Sequence, residues 1–311
     1  MNDLPKIITI LGITASGKTG LAIKLAQKFN GEIVSADSRQ IYKEFNIGTA
    51  KPEGHWMMLN GKKVFASGGI PHHLMDFVDP KEDFTLADYK NIAVEKIKEI
   101  LKRGKTPFLV GGTALYIKAV LENWNIPKAG PNQSLRKRLE NKSTEELFGE
   151  LKLKDPEAAA ITGDKNKRRI VRALEVIYET GKKFSEQRKS ENPLFETLKI
   201  GIKISKESFL ENVSRRIREM IDNGLVNEVR YLQRKYSWAL SPMHSIDYHE
   251  FKDYFEGKTT LEETKEIIKK HHADYARRQM TWFKKDKSIR WIDSFEETSK
   301  LISDFLRGPT S

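Results

Sequence analysis

The 311 residues include no cysteine, which excludes a disulfide framework and any zinc site built on thiolates. Lysine and arginine number 55 against 43 aspartate and glutamate, a formal charge of +12, and no apolar run approaches the ~20 residues that a membrane-spanning helix needs. The basic residues cluster around 136–138, 165–172, 215–218 and 277–285, which suits a polyanion such as nucleic acid better than a membrane surface, because these segments lack a broad apolar face.

Near the start, Ile7, Ile8, Ile10 and Leu11 make a short apolar run of the kind that fills a buried strand. With a strand this early and no signal peptide before it, a cytoplasmic protein is expected. The next eight residues, Gly12, Ile13, Thr14, Ala15, Ser16, Gly17, Lys18 and Thr19, fit the P-loop pattern G-x-x-x-x-G-K-[ST]. Leu21, Ala22, Leu25, Ala26 and Phe29 then recur at helical spacing, so strand, loop and helix stand in the order a phosphate cradle requires. Glycines let main-chain N–H groups close around phosphate oxygens, and the helix N-terminus adds partial positive charge. Lys18 is placed to neutralise the outer phosphate and the Thr19 hydroxyl to hold Mg2+. The expected ligand carries a diphosphate.

Residues 31–37, GEIVSAD, read as a second strand with Asp37 near its C-terminal end. Asn60-Gly61 is a hairpin-type turn inside LNGKKVFASGG. Thr85 and Asp88 can cap a helix running to about Lys102, where Gly104 ends it. Residues 106–116, TPFLVGGTALY, supply another buried strand that closes on Gly111-Gly112-Thr113. This alternation predicts a parallel, doubly wound sheet. From Asn123 to about Pro193 the chain becomes strongly polar and helical, punctuated by PKAGPN, DP and TGD. Ile170, Leu174 and Ile177 form one stripe of a helix starting near Lys167. KIGIKIS (199–205) returns to strand, helices follow over 207–222 and 260–284, and IRWID (289–293) is a last short strand. The expected architecture is α/β: a P-loop NTPase-like parallel sheet flanked by helices, formed by residues 1–122 and 194–311, with an inserted helical subdomain over 123–193.

Ligands of such sheets bind beyond the carboxyl ends of the strands, so the P-loop, SADSRQIY and GGTALY should meet at one edge. The FLVGG strand closes on glycines where ATPases usually place an acid, which argues against an NTP-hydrolysing motor. Asp37 is then the carboxylate expected beside the cradle. Its chemistry allows a general base, an outer-sphere Mg2+ ligand or a cap on the next turn.

Seven segments occur in order: GITASGKT, SADSRQIY, IGTAKP, PHHLMD, GGTALY, RRIVRALEV and ARRQMTWF. Together they resemble the tRNA dimethylallyltransferases, also called tRNA isopentenyltransferases, over nearly the whole chain. The resemblance implies transfer of a dimethylallyl group from dimethylallyl diphosphate to N6 of the adenosine just 3′ of the anticodon, in tRNAs that read codons beginning with U. It also implies Mg2+ on Thr19, tRNA bound through its anticodon stem-loop, and a monomer. Asp37 matches the base that takes the amine proton, Thr113 a threonine contacting donor and acceptor, and Lys18 and Arg216 cations on the diphosphate. Asp37, Ser38, Arg39 and Gln40 match the stretch that contacts a flipped base. Arg136, Arg168, Arg169 and Arg172 match tRNA contacts in the insertion, and Arg277, Arg278 and Gln279 are also expected to meet tRNA.

Four departures stand out. Ile13 replaces the usual P-loop proline, Asn212 stands where arginine is usual, and Asp247 stands where glycine normally precedes tyrosine, at a position that would strain Asp if φ must be positive. Residues 54–69 are atypical for the family. Rival readings are an adenylate isopentenyltransferase, a P-loop small-molecule kinase and a non-catalytic nucleic-acid module. The adenylate branch usually shows TGSGK and GGSNSY, where this chain has TASGKT and GGTALY. His72 and His73 are adjacent and point different ways, so structural roles are expected of them rather than joint metal ligation.

Overall fold

The structure is a computed structural model that describes residues 4–126, 130, 132–187 and 190–308; part of PKAGPN, residues 127–129 and 131, lies outside them. In chain order the first half comprises β1 (Lys6–Leu11), α1 (Lys18–Lys28), β2 (Gly31–Ser35), β3 (His55–Leu59), β4 (Lys62–Ser67), β5 (Ile70–His73), α2 (Leu86–Lys102), β6 (Thr106–Gly111) and α3 (Ala114–Leu121). A polar stretch holds α4 (Gln133–Glu140), α5 (Thr144–Lys154), α6 (Pro156–Thr162), α7 (Lys167–Thr180) and α8 (Phe184–Gln187). The remainder comprises β7 (Glu196–Ile202), α9 (Lys206–Asp222), α10 (Leu225–Lys235), α11 (Phe251–Phe255), α12 (Leu261–Phe283), β8 (Arg290–Ile292) and α13 (Phe295–Arg307).

One eight-stranded sheet runs β3-β4-β5-β2-β6-β1-β7-β8. From β5 to β8 every pairing is parallel, and β1, β2 and β6 are buried nearly end to end, as a sheet covered on both faces requires. Register places Ile8 and Ile33 opposite Phe108. These side chains pack with Ala22, Leu25 and Ala26 of α1 and with Ile200, Ile292 and Ile302 in one core cluster. The atypical segment is an antiparallel edge that a purely parallel reading lacks: β3 pairs with β4 and β4 with β5. Its turn uses Asn60 and Gly61 at φ 50° and 75°, both positive, as a two-residue hairpin of type I′ requires.

The chain forms two compact units, residues 1–82, 92–117 and 194–311, and residues 83–91 with 118–193. In the second unit four successive helices, α4 to α7, each start on a capping side chain. Asn132, Ser143, Asp155 and Asn166 each accept an N–H from the first turn they cap, and Ser143 forms a full capping box with Glu146. The core is Leu135, Leu139, Leu147, Leu151, Ala158, Ala159, Ile170, Val171, Ala173 and Leu174, with Ile177 against it. Glu175 is fully buried there. Arg136 donates to it through Nε and Nη2 at 2.8 and 2.9 Å, Arg172 through Nη1 at 2.6 Å, and the Asn132 N–H at 2.8 Å. Burial works to raise the Glu175 pKa, but these donors together hold it below the ordinary range.

In the first unit, Asp247 has φ 74°, so the residue standing at the usual glycine position does adopt the left-handed conformation. Its carboxylate meets His272 Nε2 at 3.0 Å, and its N–H donates to Glu250. The side chain therefore offsets part of the backbone cost with a buried partner. Asp247→Ala should unfold about 1–2 kcal/mol more easily than Asp247→Gly, because both lose His272 but only alanine keeps the strain. Urea unfolding of the two variants measures that gap, and equal midpoints would show that the strain is not there.

Candidate active site

Last pairs in the ladder, Leu11 with Gly111 and Ser35 with Val110, bring three loops out side by side at the C-terminal edge of the sheet. The P-loop turns back through Ala15 at φ 55° and Gly17 at φ 82°, and Gly17 is the N-cap of α1. Successive main-chain N–H groups in such a turn form a concave nest for an anion. A Cβ on Gly12 would lie 2.7 Å from Ser16 Oγ, so a side chain there would turn the Ser16 hydroxyl out of its place beside the nest. Ile13, in place of proline, leaves this path intact.

Cations converge on the nest. Lys18 Nζ donates to the Ile13 carbonyl at 3.2 Å, and Arg216 Nη1 donates to Thr14 Oγ1 at 3.3 Å. Burial pulls the Lys18 ammonium down to about 8; Asp37 opposes the fall and Arg216 adds to it. Arg216 Nε and Ser16 Oγ are buried without a protein partner, which leaves a donor and a hydroxyl beside the nest. Asn212 donates to the Ala15 carbonyl at 3.0 Å and accepts from Arg215, so this departure braces the P-loop backbone itself. Among the described residues no cluster of three His, Asp or Glu side chains could hold a metal. Thr19 and Ser16 supply only hydroxyls, which suits a Mg2+ that arrives bound to phosphate oxygens.

Across from the nest, Asp37 uses one oxygen, Oδ1, to accept the Arg39 N–H at 2.8 Å and the Gln40 N–H at 3.3 Å. Turn capping therefore occupies Oδ1, and Oδ2 accepts no hydrogen bond from the described residues. Thr113 stitches the loops together: its hydroxyl accepts from the Ser38 N–H at 3.0 Å and its own N–H donates to the Ala36 carbonyl at 3.2 Å. Gly111 is required for this approach, since a Cβ there would sit 2.1 Å from the Ala36 carbonyl oxygen. Tyr275 of α12 also reaches this cluster. Burial pushes its phenol up to about 12, with the Asp37 charge adding and a hydrogen bond to Thr113 opposing, so the phenol stays protonated at neutral pH.

Other expected contacts are spent inside the fold. Gln40 Nε2 donates to the Thr49 and Ala50 carbonyls, and Lys51 donates to the Tyr42 carbonyl, Asn46 and Asp76. IGTAKP and PHHLMD thus hold one loop in place. Glu228 of α10 completes it, accepting the N–H groups of Asn46, Ile47 and Gly48 and the Tyr248 hydroxyl. His73 and Arg103 share buried Glu32, whereas His72 bonds the Ile70 carbonyl, so the adjacent histidines serve separate partners. Gln279 is buried, bonded to the main chain on both sides, and Arg277 and Arg278 beside it are exposed. Arg39 reaches the Ser241 carbonyl at 3.5 Å. In the second unit, Arg168 and Arg169 are exposed at the start of α7, while Arg136 and Arg172 spend donors on Glu175.

Tyr275 and Glu228 had no motif to announce them. Tyr275 lies one turn before Gln279 at helical spacing, next to ARRQ, and that spacing was the one available signal.

A family model described as IPP transferase matches residues 40–286, and one described as isopentenyl transferase matches residues 5–64. The chain is 44% identical over 284 residues to a tRNA dimethylallyltransferase of Roseiflexus sp. (strain RS-1), covering 90% of each chain. To the tRNA dimethylallyltransferase of Bacillus licheniformis it is 38% identical over 315 residues, covering 98% of this chain and 97% of the relative. Among solved structures, the full-length tRNA isopentenylpyrophosphate transferase of Bacillus halodurans superposes with a TM-score of 0.68 at 34% identity, over 97% of this chain and 95% of that one. A eukaryotic dimethylallyltransferase solved acting on tRNA gives a TM-score of 0.79 at 28% identity, over 97% of this chain and 80% of that one.

Proposed function

The chain belongs to the tRNA dimethylallyltransferase family, and from that premise we propose that it transfers the dimethylallyl group of dimethylallyl diphosphate to N6 of a tRNA adenosine, the one just 3′ of the anticodon in tRNAs reading codons that begin with U. The observation that carries the reading is a carboxylate with one uncommitted oxygen, Asp37 Oδ2, facing a P-loop nest ringed by Lys18 and Arg216.

The chemistry follows from that pairing. An adenine amine is a weak nucleophile, because its lone pair is delocalised into the ring. As N6 bonds to C1 of the prenyl group, the C1–O bond breaks and the electron pair leaves with the diphosphate. The proton released from N6 goes to Asp37, a general base in the acceptor's path. The departing diphosphate gains charge, which Lys18, Arg216 and the main-chain N–H groups from Ala15 to Thr19 stabilise. Thr113 and Tyr275 line the space between donor and acceptor. Mg2+ held by Thr19 through the diphosphate would neutralise further charge on the leaving group. The target base must leave its stack to reach this edge, with Ser38 and Arg39 placed to meet it. We take the working unit to be a cytoplasmic monomer in which residues 123–193 serve tRNA binding.

No helix among the described residues is long and apolar enough to cross a membrane. The decisive experiment offers labelled dimethylallyl diphosphate with tRNA, AMP and ATP in separate reactions. Label in tRNA alone is the expected result. Label in AMP or ATP would assign the chain to free nucleotides instead, and γ-phosphoryl transfer from ATP with no prenylation would make it a kinase.

The exposed arginines of α7 yield a quantitative expectation. Each phosphate neutralised in a single-stranded region steepens log K against log salt by ~0.7. Arg168→Gln with Arg169→Gln should weaken anticodon stem-loop binding and flatten that slope by about one unit. The affinity for dimethylallyl diphosphate should not change. Stem-loop affinity measured across salt concentrations decides it, and an unchanged slope would make these arginines a solvated face. Arg136 and Arg172 are unsuited to this test, because removing either uncovers Glu175.

A further inference from the structure

Gln279 lies in α12, 4% exposed, and bonds two strands' worth of loop at once. Its Oε1 accepts the Thr14 N–H at 2.9 Å, and its Nε2 donates to the Gly112 carbonyl at 2.8 Å. A main-chain N–H can only donate and a carbonyl can only accept, so one orientation of the amide satisfies both. Ladder pairing between β1 and β6 stops at Leu11 and Gly111. Beyond that rung the chains part into the P-loop and the Gly112-Thr113 loop, and the Gln279 amide supplies the next cross-connection. Gly112 makes room for it: a Cβ there would stand 2.4 Å from Gln279 Nε2 and 3.6 Å from Lys18 Nζ. Thr14 in turn receives Arg216 on its hydroxyl, while its N–H is committed to Gln279.

We infer that Gln279 is a positioning residue for prenyl transfer, a side-chain rung that fixes the spacing between the loop holding the leaving diphosphate and the loop carrying Thr113. The inference rests on the proposed transferase reading. Resemblance alone had pointed Gln279 toward tRNA, but its amide is 4% exposed and is bonded to main chain on both sides. Its effect is on alignment. Each substrate is gripped by other groups, the donor by Lys18 and the P-loop N–H groups, the acceptor by exposed residues. Only their mutual placement passes through this amide.

Gln279→Met is nearly isosteric and removes both bonds. It should slow single-turnover transfer by ~10–100-fold, the scale of a misplacement near 1 Å. Affinity for dimethylallyl diphosphate without tRNA, and affinity for the anticodon stem-loop, should each change less than about threefold, because those contacts remain. Gln279→Glu keeps an acceptor for Thr14 but repels the Gly112 carbonyl and sets a negative charge near the diphosphate; it should lose donor affinity as well as rate. If Gln279→Met does not fold, Gln279→Leu, which also removes both bonds and adds no charge, carries the same comparison. Wild-type rate in the folded Met variant overturns the inference. So does a rate loss matched by an equal loss of donor affinity, which would make Gln279 a donor-binding residue only. Failure of the wild-type protein to label tRNA, read in the same assay, would instead overturn the proposed function.

Discussion

Asparagine at position 37 is expected to slow single-turnover transfer by ~10²–10⁴ while the fold and the tRNA affinity stay close to wild type, the magnitude typical of removing a general base. The choice of asparagine comes from the geometry. Asp37 Oδ1 holds the Arg39 and Gln40 N–H groups, and an asparagine oxygen can accept the same two bonds. Alanine would free that turn and mix misplacement of Ser38 and Thr113 with loss of the base. The amide cannot take a proton from N6, so the variant isolates proton transfer. As the proposed base Asp37 would act mainly in the transition state, and rate should therefore fall without matching change in stem-loop affinity. Rapid-quench measurement at saturating enzyme is the test; a wild-type rate in Asp37→Asn would remove this carboxylate from the chemistry.

Methionine at position 18 should produce opposite effects on activity and stability. In the proposed reading Lys18 gives its charge to the donor, so Lys18→Met should weaken dimethylallyl diphosphate binding ~10–100-fold, as for a charge-assisted contact, and slow transfer further. Yet the same charge is a burden to the unliganded fold. A lysine whose pKa falls from 10.5 unfolded to about 8 folded binds fewer protons when folded. Its charged form opposes folding in full below about 8, and the penalty fades as pH rises toward 10.5. Lys18→Met should accordingly raise Tm at pH 7, with ~2–4 °C for each kcal/mol relieved, and the advantage should shrink by pH 10. Thermal unfolding at the two pH values checks the sign. A lower Tm at pH 7 would mean that the Ile13 hydrogen bond outweighs desolvation.

What was legible in the sequence is what backbone geometry restricts. Gly12 and Gly17 admit almost no substitute in a phosphate nest, and an acid at a strand end declares itself by position, so the P-loop and Asp37 could be located before any coordinates. The parallel core followed from short apolar runs, and α7 from its stripe of Ile170, Leu174 and Ile177. Contacts across long separations were hidden. Gln279 and Thr14 are 265 residues apart, and no local pattern ties an amide in a helix to a loop at the other end of the chain. Arg136 and Arg172 look like any phosphate-seeking arginines until Glu175, buried by its place on α7, is seen to claim them. Other features were readable and passed over. Leu225, Val229 and Leu232 have the spacing of a helix buried on one face, and they are the buried face of α10. Ser143 with Glu146 spells a capping box at the start of α5. The strands flanking Asn60-Gly61 escaped because β3 is largely exposed and carries little apolar alternation.

The hairpin of β3 and β4 bears on how such a chain can change over generations. Along the interior, glycines act as steric seals: a Cβ on Gly31 would meet Phe108 at 2.4 Å, and one on Gly111 would meet the Ala36 carbonyl oxygen at 2.1 Å. Neither position can accept a side chain without displacing a neighbour, and at Gly111 that neighbour is a loop of the reactive edge. Among the described residues the hairpin joins the sheet through three residue pairs, Phe65 with His72, Ala66 with Pro71 and Ser67 with Ile70. Its far side, β3, is the edge strand, with no further strand beside it among the described residues. Extra residues can be accepted at that margin because the strand they extend was already an edge, and their arrival rearranges no rung between β5 and β8. The geometry therefore leaves more freedom at the rim than beside the P-loop, where neighbouring main chain fills the space that a side chain would need.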